Sequence, residues 1–146
     1  MFTFRNLTGA FLALFITTSA SAELAIICHP DYDGGKISPA QIKNLFLGER
    51  KAFPNGIKAR PINHAIGSAD RKEFFSQVLN IPESFHRRHW KRKMATGGGS
   101  SPVELNSYEE ILRSVANTPG SISYIDAHKV NNSVKVLFTV NDFGDV

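Results

Sequence analysis

The segment ISPAQIKNLFLGERKAFPNG, Ile37 to Gly56, reads as a short helix with both ends marked, followed by a polar turn. Ser38 is a strong N-cap, Pro39 suits the first helical position, and Gln41 completes an S-x-x-Q capping box. Ile37 and Ile42 stand where a hydrophobic staple would close over that cap. Ile42, Leu45 and Phe46 share one apolar face, and Gly48 stops the helix. A helix capped and sided in this way docks on a core.

The residues before this segment divide in two. Arg5, the apolar run Leu7 to Thr17 and the Ala20-Ser21-Ala22 site have the pattern of a cleavable signal peptide over residues 1–22. The run is shorter than the roughly 20 apolar residues a membrane span needs. Residues 23–146 are then expected to form one domain, exported to the periplasm. Without Arg5 its formal charge falls from +4 to +3, a mild excess that permits anionic partners without requiring them. The lone cysteine, Cys28, can form no internal disulfide, and its apolar surroundings (Leu24-Ala25-Ile26-Ile27) point to a buried free thiol.

Leu24 to Cys28 reads as a buried strand, ended by His29-Pro30. Lys58 to Asn63 suits a second strand, with Pro61 confining it to an edge or an early end. Gly67-Ser68 opens a helix carrying Phe74, Phe75, Val78 and Leu79, and a further helix runs from Glu83 to about Met94. Thr96 to Pro102 (TGGGSSP) reads as a flexible connector. Ser107 and Glu110 form a second capping box, above a helix with Tyr108, Ile111, Leu112 and Val115 inward. Asn117-Thr118-Pro119-Gly120 stops that helix. Ser121 to Ile125 alternates like a strand, and Val134 to Val140 supplies the last one. The mixture predicts a two- or three-layer α/β domain.

In order along the chain, several blocks resemble the solute-binding component of phosphate ABC transporters. They are the first strand with His29-Pro30-Asp31, then SPAQIKNLFLGERKAFPNG, GSADRKEFF, the helix ending His89-Trp90-Lys91, TGGGSSP, NTPGSISYI and VKVLF. The resemblance implies a single lobe of a type II periplasmic-binding-protein-like fold, a mixed central sheet flanked by helices. It also implies non-catalytic binding of a small oxyanion, phosphate first, in association with phosphate ABC transport. Such proteins hold the anion with N–H groups at helix N-termini, hydroxyls and a buried arginine. Carried over, the candidate oxyanion residues are His64, Gly67, Ser68, Ala69 and Arg71.

This sequence departs from that pattern. The family places an arginine, three further residues and then Ser-Gly-Thr at a helix start; here the positions are His64, Ser68, Ala69 and Asp70. His64 is uncharged over much of the accessible pH range. Asp70 sets a negative charge against an anion, and Arg71 compensates only if it turns toward the cleft. The plainer alternative is that Ser68 is an N-cap and Asp70 a favourable first-turn acid. One lobe also lacks the second surface that excludes water from a ligand, which calls for a partner surface or a homodimer. An alternative function is therefore a ligand-free interaction module that docks on an envelope protein or a partner subunit, whereas the transport reading implies an ABC permease as partner.

Other constellations are weaker. His86 to Lys93 (HRRHWKRK) is the densest basic segment and reads as a solvated helix face with Trp90 turned inward. Export makes nucleic acid an unexpected partner. His86 and His89 share one helix face, but their basic neighbours oppose a metal ion. The Gly97-Gly98-Gly99-Ser100-Ser101 loop lacks the lysine and spacing of a P-loop. No catalytic constellation is present, and neither cofactor nor metal is expected.

Overall fold

The computed structural model describes residues 12–15 and 23–140. The signal peptide expected over 1–22 lies outside the described residues apart from 12–15, and no helix among the described residues is long and apolar enough to cross a membrane. Five strands form one mixed sheet: β1 (Leu24–Cys28), β2 (Arg60–His64), β3 (Val103–Leu105), β4 (Ser121–Asp126) and β5 (Lys135–Thr139). Their order across the sheet is β3-β2-β4-β1-β5. β2 runs parallel to β3 and β4, while β1 runs antiparallel to β4 and β5.

The helices are α1 (Pro39–Phe46), α2 (Ala69–Phe74), α3 (Glu83–Ala95) and α4 (Tyr108–Asn117). α1 and α2 cover one face and α4 the other, while α3 packs on the end of α1 through Trp90 and on Phe75 through His86. Leu24, Ile26, Cys28, Ile122 and Tyr124 pack with Ile42, Phe46, Phe74 and Leu79 in one cluster. Ala25, Ile27 and Ile125 pack with Ile111 and Val115 in the other. The unbroken apolar run of β1 follows, because every one of its residues meets a helix layer. Cys28 is a free buried thiol, and burial pushes its pKa up to about 11.

α1 is built as its sequence demands. Ser38 Oγ accepts from Gln41 N–H at 3.2 Å, and Gln41 Oε1 accepts from Ser38 N–H at 2.8 Å. The second box is only half made. Ser107 Oγ accepts from Glu110 N–H at 3.2 Å, but the Glu110 carboxylate accepts from Asn106 N–H at 3.1 Å instead of from the cap residue. At the far end of α1, Gly48 adopts φ +66°, and a Cβ there would lie 2.5 Å from the Trp90 ring. The glycine both ends α1 and lets α3 close over it.

Two expectations change. β2 is an interior strand, yet Pro61 breaks no hydrogen bond. Arg60 N–H donates toward β4, to Gly120 O at 2.8 Å, so the next N position faces β3, which pairs only from Ile62 onward. β4 alternates Ser and apolar residues as expected of a strand, and Ser121 and Ser123 are buried along with the rest. They lie on the sheet face covered by α4, where small side chains leave room for the helix, and Ser123 Oγ donates to Ile62 O at 2.8 Å. The helix opened by Ser68 widens after Phe74 into a π-turn, Phe75–Leu79, that closes on Asn80 at φ +50°.

The turn into β4 tolerates no side chain. Gly120 sits at φ +81°, and a Cβ there would approach Lys58 O to 2.1 Å. Gly120→Ala is expected to cost about 2 kcal/mol or more. Urea unfolding of the variant beside the parent protein measures the loss directly.

Candidate functional site

The residues expected to meet an oxyanion gather where β2 ends and α2 begins. Ser68, with φ −66° and ψ 146°, caps α2 and accepts from Arg71 N–H at 3.1 Å. Gly67 and Ala69 are exposed on either side of it. The backbone N–H groups of Ala69 and Asp70 belong to the first turn, where no intrahelical partner exists. Ser68, whose own N–H donates to Ala65 O at 3.2 Å, therefore forms a polar lip with Gly67 and Ala69, and the free donors there are the first-turn N–H groups.

Behind the lip the charged groups are paired, while the buried Nδ2 of Asn63 has no partner. Arg71 is 1% exposed. Its Nη1 donates to His64 O at 2.8 Å and to Glu104 Oε1 at 2.9 Å, and its Nε donates to Glu83 Oε2 at 3.2 Å. The guanidinium also lies 5.2 Å from the Phe75 ring centroid. Asp70 is buried too, and its Oδ2 accepts from Asp126 N–H at 3.1 Å. The corner thus holds three carboxylates, from Asp70, Glu83 and Glu104, against one guanidinium.

His64 is present but turned away from the lip. Its Nε2 meets Tyr124 O, a carbonyl acceptor, which fixes the proton on Nε2. Its ring stacks on Tyr124 at 4.5 Å, and Tyr124 stacks in turn on Phe74 at 3.9 Å. Tyr124 Oη accepts from His64 N–H at 3.1 Å and donates to Asn63 Oδ1 at 2.7 Å. Burial above all lowers the His64 pKa, the Arg71 charge adding to it, so the ring carries no charge to offer an anion.

Of the five candidates, His64 and Arg71 are brought together through the His64 carbonyl, and Gly67, Ser68 and Ala69 lie in front of them. Glu83 and Glu104 are the partners that sequence reading did not supply. Glu104 lies 33 residues from Arg71 on a three-residue strand, and no local pattern marks such a pair.

The basic segment is divided by α3. His86 and Trp90 are buried, whereas Arg87, Arg88, Lys91 and Arg92 are exposed. Trp90 Nε1 donates to Phe46 O at 3.0 Å, so Trp90 turns inward as expected. His89 Nε2 lies 2.7 Å from Leu47 O, while His86 packs edge-on against Phe75. Among the described residues no group of three His, Cys, Asp or Glu side chains could hold a metal ion.

No family model and no curated protein matches the sequence. Solved structures do. A Vibrio cholerae ABC-type phosphate transport receptor superposes with TM-score 0.62 at 16% identity, over 80% of this chain and 46% of the receptor. A Clostridium perfringens protein with bound phosphate, named for phosphate ABC transporter substrate binding, gives 0.63 at 18% identity, over 80% and 45%. PstS from Borrelia burgdorferi gives 0.61 at 18% identity, over 80% and 47%. The chain has the periplasmic-binding-protein-like α/β fold of the phosphate receptors. It spans less than half the length of these proteins.

Against the corner, His86 introduces a pH dependence. Burial first and the Arg71 charge second pull its pKa from 6.5 down to about 4. The unfolded chain therefore binds more protons than the folded one between those values, and stability falls as pH drops through that window. The loss is expected to be on the order of 3 kcal/mol, complete only below the lower pKa. Urea midpoints across this range, for the parent and for His86→Phe, test it: the aromatic variant should lose distinctly less stability on acidification.

Proposed function

We propose that this chain is a non-catalytic binding lobe of the periplasm. It holds a small oxyanion, phosphate first, at Gly67, Ser68 and Ala69 in front of Arg71, in association with phosphate ABC transport. The supporting observation is Arg71 itself. It is a fully buried guanidinium on the lip side of the sheet, partnered by carboxylates that other elements lend it. A guanidinium taken out of water requires an anionic partner, and its planar fork suits carboxylate and phosphate alike. Glu83 and Glu104 reach it from partly exposed positions, with side chains 26% and 45% accessible. A phosphate arriving at the lip competes with them for the same donors.

That competition sets the affinity. Three acids face one base, so the isolated lobe binds phosphate weakly, in the millimolar range that corresponds to about 4 kcal/mol. A partner that draws Glu104 or Glu83 outward strengthens the site, which links oxyanion binding to a permease, an envelope protein or a second copy. The same acid excess favours a second reading, in which the corner is permanently neutralised and the lobe acts only as an interaction module.

Phosphate titration followed through the amide resonances of Gly67, Ser68 and Ala69 separates the two. Under the first reading these signals move in the parent protein, and binding tightens by about tenfold in Glu83→Gln/Glu104→Gln as two repulsive charges leave. Silence of these amides in both proteins, toward phosphate and sulfate, would leave the interaction module as the function.

A further inference from the structure

A second polar site lies away from the Arg71 corner, between the C-terminal end of α1, the 50–61 segment and the loop that precedes β3. There the surface folds into a cleft of about 320 Å³. Arg50, Lys51, Lys58 and Arg60 line it, and no acidic side chain does. None of the four makes an ion pair among the described residues. The nearest acid in sequence, Glu49, is turned toward α3, 3.6 Å from His89 and 3.8 Å from Lys93. Where Arg71 is surrounded by acids, these four cations have been left without any.

The cleft also carries hydrogen-bond donors. Ser100 and Ser101 line it, and the N–H groups of Gly99, Ser100 and Ser101 have no backbone partner among the described residues. The loop holding them is tied back by Gly98 N–H, which donates to Lys93 O at 2.8 Å. The cationic segment is anchored as well. Ala52 bridges Lys58, Ala59 N–H donates to Lys51 O at 2.9 Å, and Arg60 N–H donates to Gly120 O at 2.8 Å. These backbone bonds hold the bases of the four long side chains in one arrangement before any ligand arrives.

The remaining wall is apolar, formed by Leu45, Pro61, Pro102 and the edge of the buried Trp90. A bare inorganic anion leaves such a wall unused. The volume lies at the small-molecule end of the range of about 300–1,000 Å³ usual for ligand pockets. Unpaired cations held close together repel one another, and an anion of more than one charge relieves that repulsion. We propose that this cleft is a binding site for a small phosphate ester. The phosphate dianion lies among Arg50, Lys51, Lys58, Arg60 and the Gly99–Ser101 donors, and a neutral organic body rests on the Leu45–Pro61–Pro102 wall. This site is separate from the lip at Gly67–Ala69 and does not depend on it.

Glucose 6-phosphate, inorganic phosphate and glucose serve as probes, each titrated into the full chain while amide resonances are recorded. Glucose 6-phosphate should move Gly99, Ser100 and Ser101, binding about tenfold tighter than inorganic phosphate because only the ester also uses the apolar wall. Glucose alone should move none of them. Lys58→Ala/Arg60→Ala should weaken ester binding by about tenfold, and raising the salt concentration should weaken it further. Arg113→Ala, a cation removed from the opposite face of the sheet, should leave it unchanged. The proposal is overturned if the loop amides stay still with the ester, or if phosphate binds as tightly as the ester. It is equally overturned if the double variant binds as the parent does. Shifts at Gly67–Ala69 report on the other site, and the loop amides, read in the same spectra, decide this one.

Discussion

Arg71 ties four elements together through one buried guanidinium. Its side chain leaves α2, meets the end of β2 at His64 O, and reaches Glu83 at the start of α3 and Glu104 on β3. Taking a guanidinium out of water costs several kcal/mol, and only partners of good geometry offset that cost. Removal of one partner from such a buried group typically costs about 3–5 kcal/mol. α2, α3 and the β2–β3 edge are thereby obliged to meet at one point. β3 is three residues long and sits at the sheet edge, so its pairing with β2 gains much of its definition from the Glu104 contact.

The same fold carries two polar places of opposite electrostatic design. At the end of β2 the acids come from within the chain and occupy the arginine. In the cleft beneath Trp90 the cations are left unopposed, because the adjacent Glu49 is held by α3. An acid supplied in one place and withdrawn from the other gives the two places their opposite charge balance. Likeness of fold to the phosphate receptors does not by itself choose between them, since function resides in particular side chains and their surroundings.

Much of the scaffold was legible from local signals. The Ser38–Gln41 box, the apolar run of β1, the Ser107 cap and the Asn117–Gly120 stop each act over a few residues, and each appears where its chemistry requires. The less regular pieces were not legible. Pro61 suggested an edge, but the parallel register faces its missing N–H toward a region that β3 has not yet reached. The alternation of Ser121 and Ser123 with apolar residues marked a strand but not that α4 covers its serine face. β3 is too short to show a period of its own.

The candidate site divides in the same way. Ser68 as a cap and Gly67 and Ala69 beside it follow from adjacent residues, as does the inward turn of Trp90. The sequence by itself determined the opening helix, the order along the chain of the helices and of every strand but β3, and the likeness to phosphate receptors. Caps, staples and periodicity are all short-range. Only the tertiary structure decided that His64 faces Tyr124, that Glu83 and Glu104 take Arg71, and that four cations share a cleft with no acid. Those outcomes rest on burial and on charges far apart in sequence, and Coulomb interactions depend on distances that no local pattern records.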